Sequence, residues 1–167
     1  ARGAAADRFS TLVLDALEGV LDALAGRGDP AGADLALDAL AAALADPVLP
    51  LPAVWADALV FLEAANWFTF FDRLDDAGRL ADLLLLRAGR RADPVAEVWT
   101  LCCRAELDLR RGRWQQAAIA LDEALTLSMR HGMAAGYAHS LAARLCVLRG
   151  HEADAAGHLV AARADAF

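Results

Sequence analysis

The chain has no lysine: all 16 of its basic residues are arginines. Without lysine there is no GxxxxGK[ST] phosphate loop, so nucleotide binding by that device is excluded. Three cysteines, Cys102, Cys103 and Cys146, two of them adjacent, are too few for a disulfide scaffold. They read as small buried hydrophobes in a reducing cytoplasm. Aromatics amount to 7%, and few segments are rich in Val, Ile, Thr or Tyr, which argues against strands. Apolar runs such as Leu83 to Leu86 are far too short to span a bilayer. Ala1 to Ala6 holds a basic residue with no apolar core behind it, so no signal peptide is expected. The chain does not open on Met, and a piece cut from a longer protein is expected. A net charge of −7, with no basic arm, repels phosphate backbones, so this segment is not expected to bind nucleic acid directly. The resulting location is cytoplasmic, away from any membrane.

What is present is alanine and leucine, strong helix formers that dominate the 58% hydrophobic content. A pattern recurs among them. DRLDDAGRLADLL from Asp72, GRWQQAAIALDEA from Gly112 and GHEADAAGHLVAA from Gly150 each open on a turn-compatible residue and reach an alanine five residues later: Ala77, Ala117 and Ala155. The first two also share an arginine and a bulky apolar residue after the opening. Spacings of 40 and 38 residues fall in the range of helical arrays.

In order, residues 1–6 are predicted to be a disordered tail and 7–46 a helical hairpin. In its first helix Asp7 is the cap, and Phe9, Leu12, Val13, Leu17, Val20, Leu21 and Leu24 form the apolar stripe. Gly26 to Pro30 stops that helix and starts a second, which runs to about Ala45 with Leu35, Leu37, Leu40 and Leu44 inward. Three prolines between Pro47 and Pro52 forbid a continuous helix. Residues 53–167 then hold three further hairpins, continuous with the first as one domain. Their helices run from about Pro52 to Phe71, from an Asp75 cap to near Gly89, from Asp93-Pro94 to about Arg111, from Trp114 to about Arg130, from about Ala134 to Arg149, and from Gly150 to about Ala164. The predicted fold is all-α: a tetratricopeptide-like α-solenoid of about four hairpins, eight helices.

Small residues fall where paired helices must approach closely. Ala65, Ala105 and Ala143 lie seven residues before their turns, and Ala124 and Ala162 twelve after; the earliest repeat has Leu84 at that place.

A turn glycine, an aromatic two residues on, then spaced alanines, best seen in GRWQQA and Glu123-Ala124-Leu125, resembles the tetratricopeptide repeat. The resemblance covers about Ala53 to Ala164. The repeats are longer than the usual ~34 residues and lack a closing proline. The style of LRRGRW, EALTLSMRHGM and LAARLCVLRGHEADAAGHLVAARA is also similar to the helical-repeat region of large ATP-binding LuxR-type (MalT-like) transcriptional regulators of actinobacteria. In that family a nucleotide-binding module and a helix-turn-helix flank the repeats. The resemblance implies the sensor or interaction segment of such a regulator.

In a solenoid the first helix of each pair lines the inner surface. With the small alanine as buried reference, Asn66, Thr69, Phe70, Glu106, Leu109, Arg110, Arg144 and Val147 lean toward that concave face, joined by Trp99, Tyr137 and Ser140. Aromatics with a few polar groups and two arginines suit a protein segment or a mostly apolar small-molecule effector carrying an acceptor. The plainer alternative makes Trp99 and Phe70 core and the arginines a solvated face. Exposed apolar edges, Phe9, Leu12, Val13 or Leu83 to Leu86, allow a homodimer. His151 and His158 share a helical face but stand too far apart to ligate together without a third partner, and no histidine pairs with a cysteine at zinc spacing. Asp75-Asp76 and Asp122-Glu123 suit capping and solubility. No residue is marked as a nucleophile, so neither catalysis, metal nor cofactor is expected. The expected role is non-catalytic binding and oligomerisation within a transcriptional regulator, or else a stand-alone tetratricopeptide-like adaptor.

Overall fold

A computed structural model describes residues 11, 14–15, 18–19, 21–22, 25–27, 30–45, 65–69 and 71–165. The 1–6 tail, the Asp7 cap, Phe9, Leu12, Val13, Phe70 and the 46–52 connector lie outside the described residues. Within them the fold is all-α, with no strand. The longer helices are α1 (Pro30–Ala45), α2 (Leu74–Arg91), α3 (Pro94–Arg110), α4 (Trp114–His131), α5 (Gly136–Leu148) and α6 (Glu152–Ala164). The described residues from 11 to 22 and 65–69 are also helical. The chain divides into two compact units, residues 1–80 and 81–167.

The recurrent turn is one local structure used repeatedly. Asp72, Gly112 and Gly150 all take left-handed backbone, with φ of 58°, 70° and 77°. After each, the next N–H reaches back five residues: Arg73 to Phe68, Arg113 to Asp108 and His151 to Cys146, at 2.7–2.9 Å. This is the Schellman closure, which satisfies carbonyls orphaned at a helix end. The backbone N–H of Ala77, Ala117 and Ala155 then bonds the residue four back, opening the next helix. The intervening turns at Ala92 and Gly132 use the same device. Glycine meets the left-handed conformation without Cβ strain, and aspartate tolerates it.

Four sequence expectations need correction. The second helix of the hairpin starting at Asp72 begins at Leu74, and Asp75 sits in its first turn with Asp76. The cause is the turn closure just described, which commits Arg73 as the flanking residue. In α1, Leu37 is fully buried while Leu35 is exposed; residues two apart on a helix point to different sides, so both cannot face one core. Leu21, expected to face inward, is exposed, and α5 begins at Gly136, two residues later than Ala134. Of the Leu83–Leu86 run, Leu84 is buried, Leu85 packs on the core and only Leu86 stands well exposed.

In the first unit Arg73 ties the turn to α1. Its guanidinium lies 2.6 Å from both Asp38 and Asp76, donates to the Asp34 carbonyl at 3.1 Å, and rests 5.3 Å from the centre of the Phe68 ring. Partial burial alone would raise the pKa of Asp76, but bonds from Arg79 and Arg73 outweigh it and hold the carboxyl below its ordinary value. The sign follows. The unfolded chain takes up this proton first, so the stability the carboxylate contributes is present above about pH 4 and is lost as pH falls toward the lower folded value. Asp76→Asn is expected to flatten the fall in thermal midpoint between about pH 5 and pH 3 relative to the parent chain. An unchanged slope would remove Asp76 from the acid response.

In the second unit α3 packs on α4, α5 on α6, α4 on α5, and α3 on α5. The shared core takes Val98, Leu101, Cys102, Ala105 and Leu109 from α3, Ala117, Ala120, Leu121 and Ala124 from α4, and Ala138, Leu141, Ala142 and Leu145 from α5. Nearly half are alanines, so the helices meet backbone to backbone. Ala105, Ala117 and Ala124 are fully buried, and Ala143 and Ala155 nearly so. Ala162 is only half-buried, because it opens onto a cleft described below. Beneath the Gly112 turn, buried Asp108 pairs with Arg113 at 2.5 Å, and Arg104 bridges to Asp82.

Candidate functional site

The packing of α3 against α5 brings together side chains from two successive first helices. Trp99 and Glu106 are seven residues apart on α3, which puts them on one face two turns apart. Tyr137 and Arg144 repeat that spacing on α5. The Trp99 and Tyr137 rings stack with centroids 5.5 Å apart and planes inclined 28°. The Tyr137 hydroxyl donates to Glu106 Oε2 at 2.8 Å. Arg110, one turn along α3, lies 3.4 Å from Glu106 Oε1, and Arg144 approaches the same oxygen at 3.9 Å. One carboxylate therefore stands between a phenol and two guanidinium groups, and the cluster carries a surplus positive charge.

Burial and the bond to Glu106 push the Tyr137 phenol far above its ordinary pKa. It remains a hydrogen-bond donor at any physiological pH, so the Tyr137–Glu106 link is a fixed strut between the helices. Cys102, on the buried side of α3, is pushed up to about 12 by burial. It stays a thiol and lacks the thiolate character of a reactive cysteine.

Beside the aromatic pair lies a cleft of about 360 Å³. Val98, Cys102 and Ala138 form its apolar floor, and Trp99, Tyr137, Ser140 and Asp165 its rim. The volume is at the small end of the range for ligand sites. Gly136 keeps the cleft's end tight: a Cβ there would meet the Ala162 carbonyl at 3.3 Å and Asp165 Cβ at 3.5 Å. The start of α5 has no cap from its own flanking residue, Ala135. Asp165, thirty residues on, accepts the Ala135 N–H at 2.8 Å instead and so closes the rim.

Of the residues nominated from sequence, Trp99, Glu106, Arg110, Tyr137 and Arg144 form this connected cluster. Ser140 lines the cleft, its hydroxyl donating to the Gly136 carbonyl at 2.8 Å. Val147 is exposed on the same helix. Leu109, in contrast, is core, and Thr69 is buried with its hydroxyl donating to the Ala65 carbonyl. Both corrections have one cause: a residue four after the reference alanine still lies within the width of the buried stripe. Asn66 is half-buried in the first unit. Asp165 and Gly136 were not foreseen, because a contact spanning thirty residues leaves no local period to read.

Among the described residues no helix is long and apolar enough to cross a membrane. Compared with protein-family models, with curated proteins and with solved structures, the chain matches none.

Proposed function

We propose that the chain is a non-catalytic recognition domain that holds a protein segment or small effector on the face shared by α3 and α5. The observation that carries this reading is the Trp99–Tyr137 stack edging an apolar cleft, with Arg110 three turns along α3 from Trp99 and Arg144 two turns along α5 from Tyr137. Stacked aromatics give flat apolar contact at small entropic cost. The surplus guanidinium charge favours a ligand that carries an acceptor group, since the single negative charge of Glu106 is shared between two arginines. In this reading the helix pairs belong to a tetratricopeptide-like solenoid whose hollow side is that face, and the domain serves as the sensor segment of a cytoplasmic transcriptional regulator similar to the LuxR type. Its negative charge leaves DNA contact to other parts of such a protein.

Native mass spectrometry of the protein as purified is expected to reveal a bound molecule or partner that Trp99→Ala combined with Arg110→Ala releases. The double variant is expected to weaken affinity for that ligand by about 1–3 kcal/mol, the scale of a lost aromatic anchor and a charged contact. Equal affinity in parent and variant would show that this face is not the site.

A second reading is self-association, as in a stand-alone adaptor. Leu159 and Val160 on α6 are 56% and 72% exposed. In the preceding repeat Leu121, the counterpart of Leu159 counted from the turn glycine, is buried. Sedimentation of the parent chain and Val160→Glu separates the readings: a dimer that the variant dissolves supports self-association.

A further inference from the structure

A pair of histidines outside the α3–α5 face suggests a chemistry unrelated to it. His139 lies in the first turn of α5 and His158 in the middle of α6, and the packing of these helices sets the two rings edge to edge. Their Nδ1 atoms are 2.9 Å apart and their ring centroids 5.2 Å, with planes inclined 40°. Both side chains are half-buried. Two imidazole nitrogens at this separation share one proton, or a metal ion takes the proton's place.

Geometry selects among metals. With metal–nitrogen bonds of about 2.0–2.1 Å, two nitrogens at 90° to one another lie about 2.9 Å apart, whereas a tetrahedral angle demands about 3.3–3.4 Å. The separation observed is that of neighbouring positions in a square-planar or octahedral sphere, the preference of Cu²⁺ and Ni²⁺ over Zn²⁺. We propose that His139 and His158 bind a late divalent transition-metal ion, Cu²⁺ most tightly and Ni²⁺ next, through their two Nδ1 atoms.

The ion sits off the line between the nitrogens, each ring turning about its Cβ–Cγ bond to aim a lone pair at it. Among the described residues no third His, Cys, Asp or Glu completes a ligand set, so water or an external ligand fills the remaining positions. Two surroundings favour the ion. Burial and His158 lower the pKa of His139, and the neutral imidazole is the ligating form. Asp165, which acts on His139 in the opposite sense, places negative charge beside any cation bound there. The ion cross-links α5 to α6 and so stabilises the folded hairpin.

The test is a titration of the full chain with CuCl₂ at neutral pH in a non-coordinating buffer, read by calorimetry and by the thermal midpoint. The parent chain is expected to bind one equivalent more than the double variant His139→Gln/His158→Gln, whose residual binding measures the amino terminus and the other histidines. Loss of an outer-sphere partner alone weakens metal sites about 10–100-fold, so either single variant is expected to lose at least about tenfold in affinity. His131→Gln and His151→Gln are expected to keep that extra equivalent, and Cu²⁺ is expected to raise the midpoint only of chains that retain both His139 and His158. Should the double variant unfold, long-range ¹H–¹⁵N spectra of the parent chain with substoichiometric Ni²⁺ decide: the Nδ1 signals of His139 and His158 broaden first. Equal Cu²⁺ binding in parent and folded double variant, no saturable binding at all, or broadening that begins at other histidines would overturn the assignment.

Discussion

Leu121→Ala is expected to lower unfolding free energy by about 2–5 kcal/mol, the range for truncating a fully enclosed leucine. Leu121 is buried at the centre of the core that α3, α4 and α5 share. Half of the other buried residues of that core are alanines, which are rigid methyl stubs on helix backbones. These alanines have no rotamers with which to swing into the vacated volume, so only the remaining larger side chains can move to reduce the cavity. Ile119, two residues earlier on α4, is 60% exposed. Ile119→Ala is therefore expected to stay within about 0.5 kcal/mol, the scale of surface changes. Urea unfolding of both variants, followed by the helical circular-dichroism signal, measures the difference. A midpoint shift in Leu121→Ala no larger than in Ile119→Ala would mean that the α3–α4–α5 core does not hold the unit together.

The contrast between these two positions shows what a linear pattern conveys. Distance from the turn glycine places Ala117 and Ala155 in the same register, and both are buried. The same count leads from Ala105 to Glu106 and Arg110 and from Ala143 to Arg144. Each of these steps stays within one helix, where 3.6 residues per turn converts sequence distance into direction. The turns were legible for a similar reason. A left-handed residue closes the Schellman hydrogen bonds of the helix behind it and admits few residue types, so Gly112 and Gly150 mark themselves.

The contacts that were not legible cross between helices. His139 meets His158 nineteen residues on, Asp165 caps Ala135, and Arg73 reaches Asp38. Whether two such side chains touch depends on the separation and crossing angle of the helix axes, which arise from the sum of many packing contacts. The face of α3 could thus be named from sequence while its partners could not. Only the structure shows that Tyr137 bonds Glu106 across the gap between α3 and α5, making one cluster of two rows of residues.

The separation of the helix axes is itself set by side-chain size, and this leads to the second large effect. Ala105→Leu or Ala117→Leu is expected to destabilise the chain by about 1–3 kcal/mol through overpacking. Both alanines have no accessible surface and belong to the core between the paired helices α3 and α4. Three added heavy atoms at either site would have to displace closely packed neighbours in that core. The strain should also reach the candidate site. Ala105 precedes Glu106, so a leucine that rolls or lifts α3 would lengthen the 2.8 Å bond from the Tyr137 hydroxyl and disturb the Trp99–Tyr137 stack. Gln116→Leu supplies the control, since Gln116 adjoins Ala117 on the same helix but is exposed; it adds apolar bulk without entering the core. Thermal unfolding of the three variants, with near-ultraviolet circular dichroism as a probe of the aromatic pair, makes the comparison. Lower midpoints for Ala105→Leu and Ala117→Leu with Gln116→Leu near the parent chain would support close helix contact through methyl-sized residues. Parent-like midpoints in both alanine variants would show that the helices have room to spare, and that the alanines do not determine how closely they lie.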